Sequence, residues 1–459
     1  MSVKKISRAR RAAHQVLLRV ARDGAYADRA LDAVLERSGL QPRDRNLVTE
    51  LVYGTLRSLA NIDFILSTLA TRPLSKMPAS VLVAMRLGAY QILYMRVPAR
   101  AAVNESVALV SSDHRFASGF VNAVLRKLAV MHEAGEVPQP RDSIADPLEA
   151  LAVESSHPLW LLREVQRQRG AEVLAAFVAA NNERPPLSLR VNVQRATREE
   201  VAKSLLDYGC EVELPERFPS ALLVRNAGAV SELPGFLEGH FSVQDLAAQL
   251  VAVLAEPHGA MTILDLCAAP GGKTCHLAEL DPEGLVIAVD LHPAKTRLIA
   301  QSAERLGLTN IVVAAADATN HEAIEDVLFD HKREEVDLIV VDAPCSGMGT
   351  LRRNPELRSQ SETAVTGLCK LQDNILDTAA LLVRSGGHIV YSVCTTTDAE
   401  GSDRVKAFLE RHPEMSRVDP PDHLKHFVDT CNGYVGSCLR TWPDIHGTDG
   451  FFAARLRKQ

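Results

Sequence analysis

Several things are missing from this chain, and each absence excludes a class of protein. Its cysteines, Cys210, Cys267, Cys275, Cys345, Cys369, Cys394, Cys431 and Cys438, include no Cys-x-x-Cys pair and are too sparse for a disulfide scaffold, which makes a reducing cytoplasm the expected compartment. The histidines show no ligand spacing, so no metal is expected. No uninterrupted apolar run is long enough to span a bilayer, and the basic N-terminus has no apolar core before a cleavage site. Internal repeats and low-complexity tracts are absent as well. What remains is a cytoplasmic globular chain, and a monomer is expected.

At 459 residues it is too long for one ordinary core, and two or three domains are expected. The net charge of −6 hides an asymmetry. Residues 1–130 hold 20 Lys/Arg against 9 Asp/Glu, or +11, which leaves 51 − 20 = 31 against 57 − 9 = 48, or −17, for the remainder. A solvated surface gives such a split by chance. The reading adopted is a polyanion-binding module joined to an acidic enzyme.

From Arg8 to about Val130 the spacing is helical, as in Val16, Leu17 and Val20 or Leu47, Val48, Leu51 and Val52, and Gln41-Pro42-Arg43-Asp44 reads as a helix start. Glu133 to Pro147, rich in Gly and Pro, reads as a linker. Pro158 to Ala180 looks helical, Leu187 to Val193 alternates as a half-buried strand, and Thr197 to Tyr208 is a helix with a Thr cap and Glu three residues on. Short strands follow around Val212 and from Leu222 to Val224. Beyond Gly239, strands are expected at Ile263–Cys267, Leu285–Asp290, Ile311–Ala315, Leu338–Asp342 and His388–Ser392, alternating with helices as in a doubly wound parallel sheet. Tyr434–Leu439 and Phe451–Leu456 read as an antiparallel pair added at its edge. The domains are therefore drawn as 1–132, all helical; 133–150, a linker; 151–238, small α+β; and 239–459, Rossmann-like.

Ligands of such sheets bind at the carboxyl ends of strands, and there stand Asp342 and Cys345 in Asp342-Ala343-Pro344-Cys345-Ser346-Gly347, with a second thiol, Cys394, after a neighbouring strand. Two thiols facing one crevice suggest covalent chemistry. The loop Cys267, Ala268, Ala269, Pro270, Gly271, Gly272, Lys273 and Thr274 follows the first strand and opens a helix, so a ligand can approach its backbone. A P-loop needs Gly where Cys267 stands, and an NTPase reading leaves both thiols unexplained. Asp290 lies about where an acid bonds a ribose in dinucleotide folds, and Asp317 is suited to an adenine amino group. Helix capping is the bland alternative for either acid. With no second glycine pair for a pyrophosphate, S-adenosylmethionine is the economical ligand. Forming a thiolate at pH 7 costs ~2 kcal/mol at a reference pKa of about 8.5, part of which a cation such as Lys273 offsets. The other cysteines are read as inert small hydrophobes. Arg352, Arg353 and Arg358 are read either as a solvated run or as holders of RNA phosphates.

Taken together, these motifs resemble the RsmB (Sun/Fmu) family of bacterial ribosomal RNA cytosine-5 methyltransferases over nearly the whole chain. The resemblance rests on Ser242-Val243-Gln244-Asp245, the loop Cys267 to Lys273, Asp342 to Gly347, Arg352-Arg353-Asn354-Pro355, Tyr391-Ser392-Val393-Cys394 and Asp449-Gly450-Phe451-Phe452, in order and spacing. The helical end is similar to NusB-like RNA-binding domains at Arg43-Asp44-Arg45, Asn104-Glu105-Ser106-Val107 and Phe120 to Arg126. The family implies that the loop, Asp290, Asp317 and Asp342 bind S-adenosyl-L-methionine, that Cys394 attacks the base, and that Cys345 assists release of product. It usually has Thr before and Ser after the nucleophile and Glu-Glu-Asn further on, where this chain has Val393, Thr395 and Ala399-Glu400-Gly401. The expected activity is methylation of carbon 5 of a cytosine in small-subunit ribosomal RNA, with Asp342 holding the base and no membrane partner. A tRNA or other RNA substrate and a catalytically silent assembly factor are the alternatives. An amino-methyltransferase is disfavoured because Cys345 replaces the aromatic expected after Asp-Pro-Pro.

Overall fold

The computed structural model describes residues 7–111, 114–429 and 437–459, and the chain divides into two compact units. The first comprises Met1–Glu183 together with Leu351–Gln360. Its helices include Arg8–Asp23, Ala27–Ser38, Pro42–Arg57, Leu59–Leu69, Ala79–Tyr94, Ala99–Ser111 and Ser118–Ala134. The first buries Ala9, Ala12, Ala13, Val16 and Leu17, a stripe at helical spacing, and stops at Gly24 in the left-handed region. Pro42 sits in the first turn of the third, where its missing N–H has no helical partner to lose.

Two local expectations change. Pro147 opens the helix Pro147–Ser155, capped by the Asp146 carboxylate on the Leu148 amide, instead of closing a linker. The stretch from Pro158 is two helices, Leu159–Arg169 and Leu174–Asn182, because Gly170 leaves helical geometry at φ 91°.

The short segment Leu351–Gln360 is tied into this unit by Arg358, which is 9% exposed. Its guanidinium donates to the carbonyls of Arg57 (2.8 Å), Ser155 (3.1 Å), Ser156 (3.3 Å) and Asn181 (3.0 Å). Burial, and then the charge of Arg57, pull its pKa down to about 9. A phosphate-holding role for Arg358 is thereby corrected, since the side chain is buried and its Nη1 and Nη2 donors are spent on backbone carbonyls; Arg352 is buried too. Arg358→Met is expected to lose roughly 2 to 5 kcal/mol of stability by stranding buried carbonyls. Urea unfolding beside RNA titration checks this, and unchanged stability with weakened RNA binding would restore the phosphate role.

The second unit comprises Arg184–Thr350 and Ser361–Gln459. It opens with an antiparallel sheet of β1 (Leu187–Val191), β2 (Glu211–Glu213), β3 (Ala221–Arg225) and β4 (Phe241–Val243), in the order β2-β3-β1-β4. The helix Arg198–Asp207 is closed by a capping box in which Thr197 and Glu200 exchange hydrogen bonds.

Next comes the large sheet: β5 (Thr262–Asp265), β6 (Leu285–Asp290), β7 (Ile311–Ala315), β8 (Val336–Asp342), β9 (Val383–Val393), β10 (Met415–Val418), β11 (Val428–Asp429), β12 (Cys438–Thr441) and β13 (Phe451–Lys458). The order among the described residues is β11-β12-β13-β9-β8-β5-β6-β7, with β10 on β13. Strands β5 to β9 are parallel, and β13 runs antiparallel to β9. Strand β5 ends at Asp265, two residues before the expected Cys267. Tyr434 to Gly436 of the expected edge strand, and Cys431, lie outside the described residues; Cys438 is disulfide-bonded rather than a free inert thiol.

Both faces of this sheet are covered, which explains its unbroken apolar strands. Leu264, Ile287, Ile339, Ile389 and Tyr391 pack with Ile375, Ala379 and Phe408 on one face. Their neighbours in sequence, Ile263, Val286, Leu338 and Val390, pack with Leu250, Leu254 and Leu277 on the other.

Candidate active site

Parallel strands place their carboxyl ends along one edge, and β5, β6 and β8 end in Asp265, Asp290 and Asp342. Cys394 comes directly after β9, whose Ser392 lies in register with Asp342. Strand order reverses between β5 and β8, the topological switch where open α/β sheets take their ligands.

Asp342 is gripped on both oxygens. Lys273, near the start of the helix Gly272–Leu280, donates to Oδ2 at 2.6 Å, and Ser392 Oγ donates to Oδ1 at 2.8 Å. Burial works against the Lys273 charge, but Asp342 outweighs it and raises the pKa above the usual value; Cys394 and Asp265 act in the same direction. The ammonium also lies 5.4 Å from the centre of the Phe451 ring.

Both thiols meet as expected, with Cys345 Sγ 3.2 Å from Cys394 Sγ. The hydrogen bond to Cys394 raises the Cys345 pKa well above the ordinary thiol value, and burial, the charge of Cys394 and Glu400 add to it. Cys345 therefore keeps its proton. The loop between is pinned to the backbone of the last strands: the Gly349 N–H donates to the Cys394 carbonyl at 3.1 Å, and Gly450 N–H to the Gly349 carbonyl at 2.8 Å. A Cβ on Gly349 would lie 1.8 Å from the Gly450 oxygen, so this close approach needs glycine.

The loop after β5 is built for close approach as well. Gly271 has φ 104°, and a Cβ there would come within 3.1 Å of the Ile299 backbone; one on Gly272 would meet only the Gln244 side chain, at 3.9 Å. Cys267 is half-buried, and its thiol is pushed well above the usual range by burial and then by Asp265, Asp342 and Asp290, so these carboxylates converge on the loop. Asp290 accepts from the His292 amide at 3.0 Å and faces Lys295 at 4.0 Å. Asp317 is exposed, and its carboxylate is occupied by its own turn, accepting from Thr319 N (2.9 Å) and Oγ1 (2.8 Å).

Asp265 was passed over in the sequence because it sits inside an apolar run that reads through to Cys267. It is fully buried, accepts from Thr274 Oγ1 at 2.7 Å on Oδ2, and has no partner on Oδ1. An orphaned carboxylate oxygen beside a loop of small residues fits a compact ligand carrying positive charge.

Residues 252–457 match the family model described as 16S rRNA methyltransferase RsmB/F, residues 7–130 the NusB family, and residues 157–231 a Methyltr_RsmF/B-like, ferredoxin-like domain. A probable ribosomal RNA small subunit methyltransferase B of Synechocystis sp. is 37% identical over 98% of this chain and 99% of its own length. The chain belongs to the RsmB/F family of 16S rRNA methyltransferases. A Bacillus subtilis member, also a probable ribosomal RNA small subunit methyltransferase B, is 35% identical over 97% of both chains. The crystal structure of PH0851 is similar over 99% of this chain and 100% of its own, with a TM-score of 0.83 and 26% identity. A methyltransferase homolog protein from Pyrococcus horikoshii shares the fold at a TM-score of 0.56 and 22% identity, over 68% of this family member and 100% of its own chain.

Burial raises the Asp265 pKa to about 7, with Asp342 adding to it and Thr274 and Lys273 opposing. A carboxyl raised on folding keeps, between about pH 4 and pH 7, a proton that the unfolded chain has lost, so stability declines as pH rises through that window. Glu279, also raised to about 7 by burial, contributes in the same sense. Asp265→Asn is expected to flatten the decline without abolishing it. Thermal unfolding from pH 5 to 8 reads this out, and a slope identical to that of the parent chain would count against it.

Proposed function

We propose that this chain methylates carbon 5 of a specific cytosine in small-subunit (16S) ribosomal RNA, using S-adenosyl-L-methionine and a covalent cysteine–cytosine intermediate. The observation that carries the proposal is the pair of thiols in contact at the ends of adjacent strands, beside the Lys273–Asp342 ion pair. When bound, S-adenosylmethionine supplies an electrophilic methyl group on a sulfonium; Asp290, Asp317, the Cys267 to Lys273 loop and the unpartnered oxygen of Asp265 are the groups suited to hold it.

Cytosine carbon 5 is too poor a nucleophile to take a methyl group unaided. Cys394 adds as a thiolate to carbon 6, which makes carbon 5 enamine-like. Asp342 holds the base by its ring nitrogen or amino group while carbon 5 takes the methyl group. Cys394 is then a neutral thioether, so its negative charge no longer raises the Cys345 pKa. Cys345 then gives its own proton to water and, as the thiolate, takes the proton from carbon 5. The carbon 6–sulfur bond breaks, its electrons return to Cys394, and the Cys345 proton passes to that thiolate or to water. The base must be unpaired or flipped to be reached from both faces.

The RNA grip is assigned to the basic helical domain. Arg8, Arg11, Arg19 and Arg37, all exposed, line a cleft of about 260 Å³ between its first two helices, with Gln15 at its wall. Arg8 is partly committed to the Ser38 carbonyl, which leaves the other three as phosphate ligands of choice. Changing Arg11, Arg19 and Arg37 to Gln should weaken RNA binding and reduce the salt slope by about 0.7 to 0.9 per lost phosphate contact. Filter binding across a salt series reads the slope, and an unchanged value would make this domain structural.

Chemistry is tested by trapping. Cys394→Ala removes the attacking group, and methylation should vanish with no covalent complex. Cys345→Ala permits attack and transfer but blocks elimination, so a slow, protease-sensitive band should accumulate on a denaturing gel with labelled 16S RNA and S-adenosylmethionine. The double variant should show none. A band with Cys394→Ala and none with Cys345→Ala would exchange the roles, and unchanged activity in both would end the covalent reading.

A further inference from the structure

We infer that Glu400 is a positioning residue that holds the Cys345 turn against the Cys394 loop, and that it acts on the elimination half of the reaction. This rests on the covalent reading proposed above. Glu400 is 0% exposed, and its carboxylate accepts from Ser346 N at 2.8 Å, Ser346 Oγ, Thr397 Oγ1 at 3.0 Å and Gln372 Nε2 at 3.2 Å. Ser346 directly follows Cys345, and Thr397 is in the loop that Cys394 opens. One buried carboxylate thus ties the backbone beside one thiol to the segment bearing the other, across 54 positions of sequence.

The surroundings show which thiol depends on it. Cys394 has its own restraints: it extends from β9, and its carbonyl accepts from Gly349 N at 3.1 Å. Glu400 itself is fixed to β9, since the Tyr391 hydroxyl donates to its carbonyl at 2.6 Å. Gln372 adds a second restraint on the same turn, donating to the Pro344 carbonyl at 2.9 Å. The Ser346 amide is the point at which the Pro-Cys turn is held by a charge, and a charged acceptor makes the stronger bond. Without the Glu400 side chain, the amide directly after Cys345 loses its charged acceptor, while Cys394 keeps its attachment to β9 and its bond from Gly349. Attack and methyl transfer then continue, and removal of the carbon 5 proton slows.

The experiment compares full-length Glu400→Ala, Glu400→Gln, Cys345→Ala and parent protein, with 16S RNA transcript and S-adenosylmethionine carrying a labelled methyl group. Steady turnover, single-turnover methyl incorporation and the covalent band are measured together. Glu400→Ala should lose turnover by about 100-fold, the scale of an ångström-sized misplacement, while single-turnover incorporation changes far less and the band accumulates. Glu400→Gln, which still accepts from the Ser346 amide, should stay within several-fold of the parent. If band and turnover instead fall together in Glu400→Ala while Cys345→Ala still accumulates adduct, the inference is wrong and the covalent reading stands. Should Cys345→Ala give no band either, the covalent reading fails first. If Glu400→Ala does not fold, Glu400→Asp, whose carboxylate falls one methylene short of the Ser346 amide, carries the same expectation; parent-like behaviour of that variant overturns it.

Discussion

The catalytic edge depends on a sheet whose two faces are both sealed from water. Alternate residues of β5, β6, β8 and β9 feed opposite apolar layers, so these strands have no solvent face on which a polar side chain can rest. Polar chemistry is thereby confined to the strand ends, where Asp265, Asp290, Asp342 and Cys394 collect. Burial pushes Asp265 and the Cys267 thiol upward, the hydrogen bond to Cys394 and then burial do the same to the Cys345 thiol, and for Lys273 the carboxylate of Asp342 outweighs burial.

Much of this was legible in sequence because the strands are short apolar runs with a chemical residue at one end. The Thr197 cap, the Pro42 helix start and the meeting of Cys345 with Cys394 follow from local rules of spacing and strand direction. What escaped had non-local causes. Asp265 lies inside a run that looks like strand to its end. Arg358 stands in a basic stretch that looks solvated, yet its partners are carbonyls up to 301 positions away. Glu400 looked like the remnant of a family motif, and its bonds to Ser346 and Gln372 join residues 54 and 28 positions apart.

Charge is handled differently in the two units. In the helical one, the exposed Arg8, Arg11, Arg19 and Arg37 line one cleft, a surface suited to a polyanion. In the other, buried charges are matched: Arg190 with Glu279 at 2.8 Å, Arg440 with Asp398 at 2.7 Å and Lys273 with Asp342 at 2.6 Å. Two of these pairs stand at the strand ends, since Lys273 ends the loop after β5 and Asp398 lies in the segment after Cys394.

The segment Leu351–Gln360 bears on how the molecule is made. A ribosome releases the chain from its N-terminus, and domains generally fold as units while they emerge. Here the carbonyls of Ser155, Ser156 and Asn181 wait for a guanidinium that is synthesised much later, after β5, β6, β7, β8 and the Pro-Cys turn are already out. The helical unit thus reaches its final form only after four strands of the large sheet have been translated.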